Sequence, residues 1–171
     1  MPERPVRQGP LNSADLLQSP LYSRACKQAL QVMERLAAAE TRHPGSVRSL
    51  DSLAAETRTS VPALEQAVNL LRLAGLLETP AAPGPGGVRL ARPASQISML
   101  EVVRAIDGAG LWARCILGLA QCSDEAPCPA HEVWKKTRAL LEQHLENQSL
   151  ADLTQAVAGR RSGRRSPGGP R

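Results

Sequence analysis

The chain has no phenylalanine, a single tyrosine and two tryptophans in 171 residues. A core so poor in aromatics must be assembled from Leu, Val and Ala, which favours closely packed helices. No stretch approaches the ~20 consecutive apolar residues that a membrane span needs. The opening MPERPVRQGP has no apolar signal region, so nothing in it suggests export, and a cytoplasmic protein is expected. Catalytic signatures are missing too. No Ser/His/Asp arrangement, paired carboxylates, P-loop or dinucleotide glycine pattern stands out. GPGG at 84–87 lacks the strand-loop-helix setting of a phosphate cradle, so an enzyme is not expected.

Acidic residues are absent from one place, GRRSGRRSPGGPR at 159–171. Removing its five arginines from the 21 basic residues leaves as many bases as the 16 acids, so the formal charge of +5 belongs to the tail. With almost no apolar side chain to bury, that tail is expected to be disordered and to add at most non-specific attraction to phosphates.

What is present is helical spacing. From Ser19 onward Leu21, Ala25, Ala29, Met33 and Leu36 recur at steps of three and four until Pro44 and Gly45 stop the pattern. SLDSLAAET follows, with Ser49 as N-cap and Leu50, Leu53 and Ala54 inward. In RTSVPALEQAVNLLRLAG, Ser60 is placed to cap and Pro62 falls in the first turn. Leu64, Ala67, Val68 and Leu71 form a stripe, and Gly75 ends it. This is a helix-turn-helix pattern. Two short strands, Leu76 to Thr79 and Val88 to Ala91, then flank a Pro/Gly loop. The expected fold is therefore mainly α with a small β-wing: a winged helix-turn-helix followed by a long C-terminal helix.

The later helices are SQISMLEVVRAIDG, capped near Ser95 or Ser98 with Ile97, Leu100, Val103 and Ile106 aligned, and AHEVWKKTRALLEQHLENQ, carrying Val133, Trp134, Leu140, Leu141 and Leu145. SLADLTQAV reads as a last short turn capped by Ser149. The expected division is a leader at 1–18, the winged domain at 19–107, a cysteine-containing sensor loop at 108–130, a dimerisation helix with terminal turn at 131–157, and the basic tail at 158–171. The long helix has more apolar face than its own domain can cover, so it is expected to pair with its copy in a homodimer.

Several stretches in order resemble one bacterial family. LYSRACKQAL is similar to its first helix, SLDSLAAETRTSVPALEQAVNLLRLAGLL to its helix-turn-helix, and GPGGVRLARPASQISMLEVVRAIDG to its wing and following helix. CILGLAQCSDEAPCPAHEVW resembles its cysteine segment. On residues 20 to about 155 the chain is identified as resembling the IscR/NsrR-type winged-helix regulators, the Rrf2 family. The resemblance implies a dimeric transcription regulator, often a repressor, that binds double-stranded promoter DNA. It also implies an iron–sulfur cluster, [2Fe–2S] or [4Fe–4S], with Cys115, Cys122, Cys128 and His131 as ligands. Lys27 stands where some members place a liganding carboxylate, and an ammonium cannot ligate iron at neutral pH.

Chemically, thiolates with a histidine suit such a cluster, and Gly118, Pro127 and Pro129 supply the non-helical loop that the ligands need. The same four residues suit structural zinc, a thiol–disulfide couple or plain burial. Asp124 and Glu125 are read as solvated loop acids, and His43 and His144 as surface residues. The second helix of the helix-turn-helix should enter the major groove, offering Ser60, Gln66, Asn69 and Arg72. Arg48 and Arg58 are expected at phosphates, and Arg89 and Arg92 on the wing. The wing tip, TPAAPGPGG, carries no cation. The neutral body leaves a second possibility, a winged-helix protein-interaction or iron–sulfur-handling module with little specific DNA binding.

Overall fold

The structure is a computed structural model that describes residues 22–80, 87–108, 110, 115–119 and 122–163, with side chains through residue 160. The expected leader, Leu21, the wing tip at 81–86 and the end of the basic tail lie outside them. The first helix, α1 (Arg24–Arg42), starts where the Ser23 side chain accepts a hydrogen bond from the Cys26 amide, 3.0 Å away, later than the spacing from Ser19 suggests. It ends at His43, just before Pro44 and Gly45, whose φ is +76°. The inward residues of α1 are Cys26, Ala29, Leu30, Val32, Met33, Leu36 and Ala37, a wider surface than the single stripe expected, while Ala25 is exposed. The reason is position: α2, α3, α4, α6 and the wing all pack on α1. Burying each Leu there contributes about 1.5–3 kcal/mol.

A two-residue strand, β1 (Arg48–Ser49), leads into α2 (Leu50–Thr57), which Ser49 caps through the Ser52 amide at 3.3 Å. Arg58 then adopts a left-handed conformation, φ +53°, which turns the chain into α3 (Val61–Leu73). Ser60 is the N-cap residue of α3 but makes no side-chain capping bond; Pro62 preorganises the first turn instead. Leu64, Ala67, Val68 and Leu71 face inward as their spacing requires. Gly75, φ +70°, closes α3 with paired hydrogen bonds from its own amide to the Arg72 carbonyl and from the Leu76 amide to Leu71.

The wing is the antiparallel pair β2 (Leu77–Glu78) and β3 (Gly87–Leu90), in register Leu77 with Leu90 and Glu78 with Arg89. The strand β1 joins the other edge of β3, giving the order β1-β3-β2. After a 3₁₀ turn (Ala94–Gln96) comes α4 (Met99–Asp107). Its cap is Ser98 rather than Ser95, in a capping box with Glu101, which a second bond ties to Arg92 at 2.5 Å.

The chain returns as α5 (His131–Asn147) and α6 (Leu150–Gly163). The terminal segment is thus a 14-residue helix rather than a short turn, and it runs past the expected boundary at 157. Ser149 caps it as expected, accepting from the Asp152 amide at 3.1 Å. Leu150 is fully buried and α6 lies along α1. The α5–α6 junction is fastened to the front of α4. The Met99 amide donates to Gln148 and the Leu150 amide to Ile97, each at 2.8 Å, around a bridge between Ser98 and Ser149. On α5, Trp134 and Leu145 face the body, Leu141 is half-buried, and Val133 and Leu140 stand exposed at 71% and 66%. No described helix is long and apolar enough to cross a membrane.

Candidate DNA-reading face and cysteine site

Two surfaces carry the sequence-predicted residues. On the outer face of α3, Ser60, Gln66, Asn69 and Arg72 are all exposed, with Arg58 beside them in the turn. Because the apolar stripe fixes which side of α3 faces inward, these polar side chains project together. The other arginines are engaged within the chain. Arg48 bonds Ser52 at 2.8 Å and pairs with Glu56. Arg89 pairs with Glu78 at 2.6 Å across the wing strands, and Arg92 with Glu101 and the Gln96 carbonyl. Sequence reasoning missed these three acids. Two had a legible signal: strand register places Glu78 opposite Arg89, and Glu101 stands three residues after Ser98 in a capping-box pattern.

The second surface lies between α4 and α5. Cys115 and Cys128 bring their sulfurs to 3.6 Å. Backbone amides of Leu117 and Leu119 hold the Cys115 thiol below its ordinary range, whereas burial pushes the Cys128 thiol up. Cys122 Sγ lies 3.3 Å from His131 Nδ1, and His131 Nε2 lies 2.8 Å from Asp124 Oδ1. His131 is the first residue of α5, its amide bonded to the Cys128 carbonyl at 2.9 Å, and its ring is buried. The four predicted residues thus form two contacting pairs, Cys115 with Cys128 and Cys122 with His131. Asp124 is not the purely solvated acid that sequence reading suggested. Its carboxylate is held below its usual range by Lys135, bonded at 2.7 and 2.8 Å, and by His131. Glu132 stands near the same group, with possible ligand atoms of Asp124, His131 and Glu132 all within 4.8 Å of one another.

Cys26 takes no part. It is wholly buried on α1, with its thiol pushed up to about 12 by burial and by Asp107. His43 and His144 are exposed, as expected.

A helix-turn-helix, a short wing, and a long helix that starts in a cysteine-bearing segment together define a winged-helix protein. The Rrf2 family profile, described as an iron-dependent transcriptional regulator, matches residues 22–156, and the chain belongs to this family of DNA-binding transcriptional regulators. The Mycobacterium tuberculosis protein Rv1287, named as a helix-turn-helix-type transcriptional regulator, is 33% identical over 77% of this chain and 79% of its own length. The regulator IscR of Vibrio atlanticus is 33% identical over 55% of this chain and 53% of its own. The crystal structure of Staphylococcus aureus CymR, 29% identical, matches with a TM-score of 0.62 over 78% of this chain and 97% of that one. Its oxidised form matches with 0.61.

Proposed function

We propose that the protein is a dimeric repressor of transcription in the bacterial cytoplasm, and that the cysteine site sets its grip on promoter DNA. The single observation that supports the reading is that Cys115 contacts Cys128 and Cys122 contacts His131, the first residue of α5. Three thiols and an imidazole nitrogen in two contacting pairs fit the donor chemistry of an iron–sulfur cluster. When bound, such a cluster supplies a change of oxidation state and metal–ligand bonds that are lost with iron. The chain's own residues do the remainder. Cys128 and His131 join the site to α5, and the exposed Val133 and Leu140 support pairing of that helix with its copy. Two α3 helices would then present Gln66 and Asn69 to adenine edges in successive major grooves, with Arg58 and Arg72 on phosphates. A bias of only ~1–3 kcal/mol between two dimer geometries changes promoter occupancy substantially.

A second chemistry is favoured by the 3.6 Å separation of Cys115 and Cys128. Joining the two thiols as a disulfide releases two electrons and two protons to an oxidant. The oxidised form of CymR known among the relatives accords with thiol control. One experiment separates the two. Iron and sulfide are measured in protein purified without oxygen, and promoter retardation is compared for the parent chain and Cys122→Ala. Cluster control predicts bound iron and sulfide, and a Cys122→Ala variant insensitive to iron. Thiol control predicts neither, and leaves the response to oxidant intact in Cys122→Ala. Identical promoter binding under oxidising and iron-starved conditions would overturn both.

A further inference from the structure

We propose that Asp124 is the positioning residue of His131, selecting which ring nitrogen faces the sulfur group, and that Lys135 completes the clamp. This deepens the reading above and rests on it only in taking His131 as part of the sensing site.

An ionised carboxylate accepts hydrogen bonds and donates none. The 2.8 Å contact with Asp124 therefore makes His131 Nε2 the protonated nitrogen. In the neutral ring Nδ1 is then the acceptor, and it points at Cys122 Sγ, 3.3 Å away. His131 is only 3% exposed, so bulk water does not compete for either nitrogen. Lys135 lies four residues after His131, hence on the same face of α5, and its ammonium holds both oxygens of Asp124. Asp124 thus bridges two side chains of one helix face and anchors the 122–128 segment to α5. The Asp124 side chain is 67% exposed, so the Lys135 pair adds little to stability. Its contribution is orientation. Histidines that bind metals commonly give their second N–H to a carboxylate, which fixes the ring and raises its basicity. With Nε2 engaged by Asp124, Nδ1 is the ring nitrogen left on the Cys122 side, the one through which His131 would serve as a ligand.

The test begins with metal-free protein carrying ¹⁵N-histidine in a His43→Gln, His144→Gln background, so that only His131 reports. Nitrogen–proton correlation spectra recorded at alkaline pH should place the ring proton on Nε2, the nitrogen that faces Asp124. In Asp124→Ala the Nε2 proton should exchange about tenfold faster, as loss of one charge-assisted hydrogen bond implies. Asp124→Asn, whose amide oxygen still accepts but carries no charge, should keep the proton on Nε2 with an exchange rate between those of the parent and Asp124→Ala. Helicity should stay unchanged throughout, so that a spectral change at His131 reports the ring and not loss of the fold. Protonation at Nδ1 in the parent, or an unaltered spectrum in Asp124→Ala, overturns the proposal.

A second arm uses protein reconstituted anaerobically with iron and sulfide, reduced, and labelled with ¹⁵N at one ring position. The Nδ1 label should give the direct coupling to the electron spin, and a larger coupling from Nε2 overturns the proposal. Failure to assemble any cluster counts against the cluster reading of the function, while the spectra of the metal-free protein still decide the role of Asp124.

Discussion

The sulfurs of Cys115 and Cys128 stand 3.6 Å apart although thirteen positions separate them in the chain. A disulfide needs them only about 1.6 Å closer. Diamide treatment of the metal-free protein should therefore yield one intramolecular Cys115–Cys128 bond, with diamide reduced to its hydrazine. Cys26 should remain a free thiol, shielded by burial. Peptide mapping after alkylation checks this. A dominant bond involving Cys122 would show that the pairing is different in solution.

The outer face of α3 predicts two separable effects on DNA. Gln66→Ala and Asn69→Ala should each cost about 1–3 kcal/mol of discrimination against wrong bases, with little change in non-specific affinity. Arg72→Ala should weaken binding to all sequences and lower the salt slope by about one unit. Glu78→Gln should do the reverse, because it frees Arg89 from its partner across the wing. Fluorescence anisotropy over a salt series on specific and scrambled duplexes distinguishes these outcomes. An unchanged slope for Glu78→Gln would place Arg89 away from the phosphates.

Leu150 is fully buried where α6 meets the body. Leu150→Ala should destabilise the fold by about 2–5 kcal/mol, the range for a buried leucine that leaves a cavity. Urea unfolding followed by circular dichroism reads the loss. A change below about 0.5 kcal/mol, the range of ordinary surface substitutions, would mean that α6 contributes nothing to the core.

Cys26 gives stability a defined pH dependence. Its thiol is pushed up to about 12 by burial, then by Asp107, against roughly 8.5 in an unfolded chain. The native state therefore holds this proton more tightly. The contribution is complete below about pH 8.5 and is lost as pH rises towards 12, at up to about 1.4 kcal/mol per pH unit. Cys26→Ala should melt lower at pH 7 but with a flatter alkaline decline. Tyr22, also raised by burial, leaves a residual slope at the top of the range. Parallel declines in the two proteins would refute the assignment.

The helix-turn-helix and wing were legible because their signals are local. Ser49, Pro62 and Gly75 mark ends, and Leu64 to Leu71 repeat at helical spacing. The width of the buried surface of α1 was not, since it depends on how many neighbours surround that helix. The strand β1 was missed because two residues carry no periodicity and pair only once β3 is in place. The helix α6 was shortened because Leu150, Leu153 and Val157 are its only large apolar residues, and the sequence then turns polar. At the cysteine site the residue types were legible and their pairing was not. Asp124 looked like any loop acid until folding set it between His131 and Lys135.

The hydrogen bonds that fasten Gln148 and Leu150 to Met99 and Ile97 make the distal end of α5 a fulcrum. From there the helix reaches back over 17 residues, about 25 Å, to His131. A swing of ~10° about that pivot carries the histidine end through ~4 Å, by the arc length of such an arm. A contraction of about 1.6 Å at the sulfurs thus corresponds to only a few degrees of tilt along the whole shaft. Displacement is greatest at the end where the thiols sit and vanishes at the start of α4.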